Sequence, residues 1–270
     1  MHLIIEPGRS AAHYWRDLWR YRELLYFLAW RDLVVRYKQT AIGVTWVLLR
    51  PALTMAVFVA FRRLVGAPPA AVPEPVLVLT AVLPWQFFST ALVDASGSLI
   101  GNSNLLSKVY FPRLIIPGAA VVTAIVDFVV TLGLLALLLA WYGIAPSPTL
   151  VLLPIFVLLS IGVSLGLGVL LAALNVQYRD FRYIVPFIVQ MGLFVSPIAF
   201  TTADLPERWR ALYSLNPMVG IIDGFRWSIL GDRVVIDPAL IAISAAVTAT
   251  LLVAGTWYFR RMERSFADVI

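Results

Sequence analysis

The chain has 270 residues, of which 61% are hydrophobic and only 13% are charged. A soluble domain usually carries about 25% charged residues, so this chain has too little charge to cover a water-facing surface and is expected to lie in a membrane. It has no Cys, and its two His, His2 and His13, lie outside every apolar run, so disulfides, thiolate metal sites and His-based centres are not expected. The net charge of +6 suits a membrane surface or nucleic acid, and the hydropathy favours the membrane.

Residues 1–40 are predicted to form a cytosolic arm that contains an amphipathic helix. The first 25 residues have no uninterrupted apolar core, so a cleavable signal peptide is not expected. Between residues 14 and 38, bulky apolar side chains recur at helical spacing, with charged residues on the other side. This pattern predicts a helix in the inner membrane interface, and a plain anchor with no further role is the alternative. The apolar side consists of Leu18, Tyr21, Leu25 and Leu28.

Residues 41–270 are predicted to form a single membrane domain with six transmembrane helices, which makes the fold class an all-α integral membrane protein. A helix needs about 20 apolar residues to cross ~30 Å of hydrocarbon, and six stretches satisfy this requirement. They are residues 42–61, 76–101, 114–142, 150–174, 184–203 and 238–259.

Three charged residues lie inside the predicted spans. Arg50 in the first span and Asp94 in the second are expected at similar depths, roughly 10–12 Å from the inner end. Because a lone charge in hydrocarbon is costly, these two side chains are expected to form an ion pair. Asp127 in the third span has no evident partner, so it is interpreted either as a cavity-facing residue or as a satisfied buried acid.

The first inner loop, residues 102–113, combines capping residues with apolar ones. Asn102, Ser103 or Asn104 is suited to begin a short helix, which Pro112 is expected to end. The apolar side chains would face the cytosol unless covered, so the loop is interpreted as a docking surface for a soluble partner. A loop folded back on the bilayer is the alternative. The apolar residues are Leu105, Leu106, Val109, Tyr110 and Phe111.

Residues 204–237 are partly apolar but contain Asn216, Pro217 and Arg226. Pro217 lacks a backbone N–H and disfavours helix at the preceding residue. Two short re-entrant or interfacial helices are therefore expected here, rather than a seventh span. With six spans and both termini inside, fourteen of the 21 Lys and Arg residues lie on the inner side and six on the outer, which is the distribution that cytoplasmic loops usually show.

Several kinds of catalytic motif are missing from the sequence. It has no phosphate-binding loop of the type that holds ATP, no carboxylate cluster suited to Mg²⁺, and no Gly-x-Ser-x-Gly nucleophile elbow. If the protein uses energy, a second polypeptide must supply it. A membrane-embedded glycan-modifying enzyme and a passive channel remain as rival interpretations.

Five segments occur in an order that is typical of one family. They are RDLVVRYKQTAIGVTW followed by LLRP within residues 31–51, SKVYFPR at 107–113, NVQYRD at 175–180, Ser196-Pro197 and Asn216-Pro217. Together they resemble the polysaccharide-exporting permeases of the type-2 ABC exporter family, which includes O-antigen and wall-teichoic-acid permeases. The resemblance covers about residues 20–260.

The resemblance implies a homodimer in the bacterial inner membrane, paired with two ATPase subunits that bind ATP and Mg²⁺, while this chain holds no cofactor or metal. It also implies that the cargo is an undecaprenyl-pyrophosphate-linked polysaccharide moved from the cytoplasmic to the outer side. O-antigen is the expected cargo; teichoic acid, capsule and lipo-oligosaccharide are alternatives.

The same resemblance implies roles for particular segments. The arm would be the interface helix, and residues 205–231, with Asn216, Pro217 and Arg226, would be gate helices on the outer side. Residues 102–113 would be the coupling helix that docks on the ATPase. Its expected contacts are Leu105, Leu106, Lys108, Tyr110, Phe111 and Arg113, with Tyr178, Arg179 and Asp180 in the second cytosolic loop.

A separate hypothesis concerns the lipid pyrophosphate. Arg36 and Lys38 lie at the inner mouth of the first span, where paired cations are suited to a doubly anionic headgroup, and Arg50 would contact it at greater depth. Ordinary anchoring by positive residues on the inner side is the alternative.

Overall fold

The computed structural model describes residues 11–38, 44–109, 111–263 and 266. Within these ranges the regular structure is entirely helical. The helices are α1 Ala11–Arg20, α2 Arg22–Tyr37, α3 Val44–Val65, α4 Glu74–Gly101, α5 Ser103–Lys108, α6 Ile115–Trp141, α7 Leu153–Gln177, α8 Phe181–Val195, α9 Glu207–Tyr213, α10 Pro217–Leu230 and α11 Pro238–Met262, with 3₁₀ turns at Pro148–Leu152, Thr202–Asp204 and Gly231–Arg233.

Among the described residues, four helical segments are long and apolar enough to cross a membrane, as expected for a multi-pass membrane protein. They are Glu74–Gly101, Ile115–Trp141, Pro148–Gln177 and Pro238–Met262. Their bounds agree closely with four of the six expected spans. The other two expected spans correspond to α3, which carries three arginines, and to α8, which has only 15 residues. At 1.5 Å per residue α8 is about 22 Å long, which is shorter than the hydrocarbon layer.

The fifth expected span, 184–203, is longer than the helix that forms there. α8 ends at Val195, and Ser196 has extended backbone angles, φ −84° and ψ 155°. The reason is local, because Pro197 disfavours the helical conformation of the residue before it. The chain then turns into α9 and α10, which are the two short helices that the sequence predicts on either side of Pro217.

α4 lies at the centre of the bundle and packs against α3, α6, α7 and α10. Its buried residues are mostly apolar and are distributed around the helix, which is typical of a helix surrounded by other helices. Phe87 of α4, Phe128 of α6 and Phe225 of α10 form a chain of aromatic contacts, with ring centroids 5.3 Å and 6.0 Å apart. These rings hold three helices together, and Phe87 and Phe128 also line the cavity described below.

α7 and α11 approach each other so closely that their backbones touch. A Cβ atom on Gly255 would lie 2.1 Å from the carbonyl oxygen of Gly166, and one on Gly166 would lie 2.7 Å from the backbone of Leu252. Small residues permit this contact between membrane helices. The pair therefore depends on glycine at both positions.

The N-terminal arm consists of two helices rather than the single one expected over residues 14–38. Tyr21 interrupts the helix with φ −90° and ψ 18°. The predicted apolar side is nevertheless the one that faces the protein, where Leu28 is buried and Leu18, Tyr21 and Leu25 pack around it. Three Trp side chains of the arm are exposed, as expected for headgroup depth. They are Trp15, Trp19 and Trp30.

Candidate functional site

An ion-pair cluster joins the end of α2 to α4 and α6. The Arg36 guanidinium donates from Nη2 to Asp94 Oδ2 at 2.6 Å and from Nη1 to Asp127 Oδ2. The Tyr37 hydroxyl donates to the other Asp127 oxygen. One guanidinium therefore bridges two carboxylates that lie on separate helices.

This arrangement corrects two expectations. Asp94 pairs with Arg36 and not with Arg50, and Asp127, which had no evident partner, is paired with Arg36 as well. Similar depth in adjacent spans relates Arg50 of α3 to Asp94 of α4. The cation that actually pairs with both acids comes from α2, whose last turn lies beside α6 and directs Arg36 towards them.

Arg36 and its partners line a cavity of about 630 Å³ between α2, α3, α4 and α6. The sequence predicts Arg50, Asp94 and Asp127 as pairing or cavity residues, and all three line this space. Lys38 is exposed and does not contribute to the lining. The cavity walls also include Tyr37, Trp46, Val47, Gln86, Phe87, Thr90, Ala124, Phe128 and Thr131.

A second cluster of charges surrounds Arg226 of α10, which has 0% of its surface exposed. Its guanidinium donates to three backbone oxygens, those of Leu77 at 3.2 Å, Ile198 at 2.9 Å and Phe200 at 3.1 Å. Asp223, one turn earlier, lies 3.8 Å away. Arg226 therefore fixes the segment between α8 and α9 onto α4, and its side chain does not face an open path.

The other two residues expected in the gate region, Asn216 and Pro217, begin α10. Asn216 is the N-cap, and its side-chain oxygen accepts from the Met218 N–H at 3.1 Å. Pro217 occupies the first helical position. A backbone N–H there would have no partner within the helix, so its absence costs no hydrogen bond. Both residues thus define where α10 begins.

The first inner loop is only partly exposed. α5 ends at Lys108, four residues before the expected stop at Pro112. Asn102 precedes α5 but does not cap it, because its Oδ1 accepts from Arg31 and its Nδ2 donates to the Ser98 carbonyl. The helix start was therefore predicted correctly, and the capping bond was not.

Two of the expected docking residues are buried within the chain itself. Leu106 and Phe111 are 6% and 4% exposed and pack in a cluster with Phe259 and Phe266. They are thus core residues of this chain, and their contact with a partner stays a prediction. Leu105 is half-buried, Lys108 and Val109 are exposed, and Tyr110 lies outside the described residues. In the second loop, Tyr178, Arg179 and Asp180 are all exposed.

Arg113, the last residue of the first loop, is tied to the end of α11. Its backbone N–H donates to Glu263 Oε1 at 2.8 Å, and its guanidinium contacts the Glu263 carbonyl. The Tyr14 hydroxyl of α1 donates to the same Oε1 at 3.3 Å. Burial raises the pKa of Glu263, although these hydrogen bonds oppose the shift, and burial with the nearby Glu263 charge raises the pKa of Tyr14. Sequence patterns give no signal for this junction, because its members are about 100 to 250 residues apart.

The sequence of residues 23–230 matches the protein family described as ABC-2 type transporter. The chain belongs to the ABC-2 type transporter family. The matched range runs from the first turn of α2 to the end of α10, so it contains the cavity, the Arg226 cluster and both inner loops. Membership makes the chain a transport subunit and confirms the family that the five sequence segments indicate.

Individual relatives agree with this assignment. The O-antigen export system permease protein RfbA of Myxococcus xanthus is 33% identical over 258 residues, which cover 94% of this chain and 98% of the relative. Two proteins of the same description from Klebsiella pneumoniae are 25% and 26% identical over 250 residues, covering 92% of this chain and 95% of each relative. The similarity to these ABC-2 type transporters thus extends over nearly the whole chain.

Proposed function

We propose that this chain is the permease subunit of an ATP-driven exporter that moves lipid-linked O-antigen from the cytoplasmic to the outer side of the inner membrane. The observation that carries the proposal is the match over 94% of the chain to a protein described as an O-antigen export permease. The cavity at the inner end of α3 supports it, because it offers charged and aromatic side chains at the base of a membrane helix.

In this proposal α3 and α8 complete a six-span topology with both termini in the cytoplasm. α3 has 22 residues, which suffice to cross the hydrocarbon layer. α8 is short, and the chain beyond it enters the segment that Arg226 fixes onto α4. Irregular backbone at such depth is tolerated where protein surrounds it, and the carbonyls of Ile198 and Phe200 are satisfied by Arg226.

The lipid pyrophosphate is proposed to contact Arg50 and Lys38, with Arg36 nearby. Arg50 and Lys38 are exposed, whereas Arg36 is already engaged by two carboxylates. Among the residues that the structure describes, no carboxylate lies within 4.0 Å of the Arg50 guanidinium. A cation so placed in a membrane helix is stabilised by an anionic ligand.

The energy for transport is proposed to come from two separate ATPase subunits, which bind ATP and Mg²⁺ and dock on the cytosolic face of a permease homodimer. The exposed residues of the two inner loops provide that face. They are Lys108, Val109, Tyr178, Arg179 and Asp180, with half-buried Leu105 beside them.

Co-purification with an ABC ATPase subunit from the same organism tests the proposal. Wild type is expected to form a stable complex of two permeases and two ATPases, and Val109→Asp with Tyr178→Asp is expected to disrupt it by placing charges on the docking face. Val235→Asp is the matched control, because Val235 is also exposed but lies at the opposite end of the predicted topology. If the wild-type chain purifies without an ATPase and the loop substitutions change nothing, a channel or a glycan-modifying enzyme is favoured instead.

A further inference from the structure

We infer that the cavity lined by Arg36 and Arg50 binds the sugar ring that adjoins the pyrophosphate, and that the pyrophosphate itself stays at the Arg50 edge. This inference rests on the proposed function and names the part of the substrate that the cavity recognises. It follows from the charge, the hydrogen-bonding groups, the aromatic walls and the size of the site.

The charge of the cavity does not suit an anion throughout. Its two guanidiniums, Arg36 and Arg50, are balanced by two carboxylates, Asp94 and Asp127, and both carboxylates contact Arg36. A pyrophosphate placed deep in this space would lie beside two negative groups and would compete with them for Arg36. Near Arg50 the pyrophosphate would contact a guanidinium that forms no ion pair with the described carboxylates. The lining as a whole is therefore neutral, with two carboxylates around Arg36 in the interior and the cation of Arg50 at the edge.

A neutral site with many donors and acceptors matches the hydroxyls of a sugar, each of which both donates and accepts. Carboxylate oxygens of Asp94 and Asp127 accept, the Gln86 amide does both, and the hydroxyls of Thr90 and Thr131 do both. The carboxylates are already oriented by Arg36, so binding would require little side-chain ordering.

Aromatic rings form the remaining walls. Phe87 and Phe128 are buried and contact each other, while the Trp46 indole is 58% exposed within the same lining. Aromatic faces carry partial negative charge, so they attract the C–H faces of a pyranose. A wall that is aromatic at the rim and polar inside is suited to a ring with apolar faces and a hydroxylated edge.

The volume is also appropriate. Small-molecule sites commonly measure about 300–1,000 Å³, and this cavity measures about 630 Å³. That space admits a single sugar ring together with part of the attached phosphate. A longer stretch of glycan would have to lie outside it.

The test compares two lipid probes on the complex reconstituted in nanodiscs without glycoside detergents, whose sugar rings would compete. One probe is a short polyprenyl pyrophosphate, and the other is the same lipid carrying one N-acetylhexosamine. Trp46→Leu and Gln86→Leu, chosen because neither contacts the Arg36 ion pairs, are expected to weaken binding of the sugar-bearing probe about tenfold and to leave binding of the bare probe within twofold. Arg50→Gln is expected to weaken both.

Phe61→Leu is the control, since Phe61 is an exposed aromatic residue of the same helix, 52% exposed, that does not line the cavity. It is expected to bind both probes as wild type does. The inference is overturned if the Trp46 and Gln86 variants weaken both probes equally or neither of them. If wild type binds neither probe, the proposed lipid-linked substrate fails, and the inference fails with it.

Discussion

Arg36 holds two helices of the bundle through a single side chain, so its partners should differ in their contributions to stability. The Asp127 side chain is 17% exposed and also accepts from Tyr37, whereas that of Asp94 is 32% exposed. Hydrogen bonds to charged groups are stronger when they are shielded from water. The Asp127 pair, which holds α2 against α6, is therefore expected to stabilise the fold more than the Asp94 pair, which holds α2 against α4.

Asp127→Asn is accordingly expected to destabilise the protein by about 1–3 kcal/mol, and Asp94→Asn by less. The measurement is the apparent unfolding temperature in nanodiscs, followed by tryptophan fluorescence. Arg36→Gln provides the comparison, because it removes both ion pairs and leaves two acids without their cation. A larger loss for Asp94→Asn than for Asp127→Asn would contradict this account of the cluster.

The helices are held together by three kinds of contact. α4 is held mainly by apolar contacts, together with the ion pair between Asp94 and Arg36, while α7 and α11 rely on backbone contact between Gly166 and Gly255. The outer segment between α8 and α9 depends on a third kind of contact, the three carbonyl bonds of Arg226. Changes in side-chain volume should therefore matter most at the glycine pair.

Gly255→Ala is expected to lower the unfolding temperature, because its methyl group would meet the Gly166 backbone and force α7 and α11 apart. Overpacking of this kind costs about 1–3 kcal/mol. Gly97→Ala is the matched control within a helix, since no atom lies within 4 Å of its added Cβ, and it should be neutral or stabilising by about 0.4–1 kcal/mol. Equal effects at the two positions would mean that the close approach of α7 and α11 does not support the fold.

The elements that could be predicted from the sequence are those set by long apolar runs. The bounds of α4, α6 and α11 were expected within a few residues, and Pro217 correctly divided the region that follows α8. The end of α8 at Val195 was not expected, because hydropathy continues through Pro197 while the backbone does not. A hydropathy window averages over such a local break.

The site was less predictable for a different reason. Arg36, Arg50, Asp94 and Asp127 were all identified, because charges are conspicuous in apolar segments, but their pairing depends on where α2 returns to the bundle. Burial of the first inner loop depends on Phe266, more than 150 residues away in sequence. Such contacts between distant segments leave no periodic pattern.

At the scale of the whole molecule, the topology can be tested directly because the chain has no Cys. Single Cys substitutions are introduced at exposed positions, and labelling by a membrane-impermeant maleimide is measured in intact and permeabilised cells. Val235→Cys is expected to react in intact spheroplasts, because the six-span topology places it outside. Val109→Cys and Tyr178→Cys are expected to react only after permeabilisation. Labelling of Tyr178→Cys from outside would rule out the proposed arrangement of α7 and α8.

The central claim is that this chain, driven by a partner ATPase, moves a lipid-linked glycan across the membrane. The most direct measurement uses proteoliposomes that contain both subunits and a labelled glycolipid, with glycan transferred to the far side detected by a glycosidase added there. The account predicts that transfer requires ATP and both subunits and is lost with Val109→Asp and Tyr178→Asp. Transfer by the permease alone, or transfer that is indifferent to ATP, would contradict it.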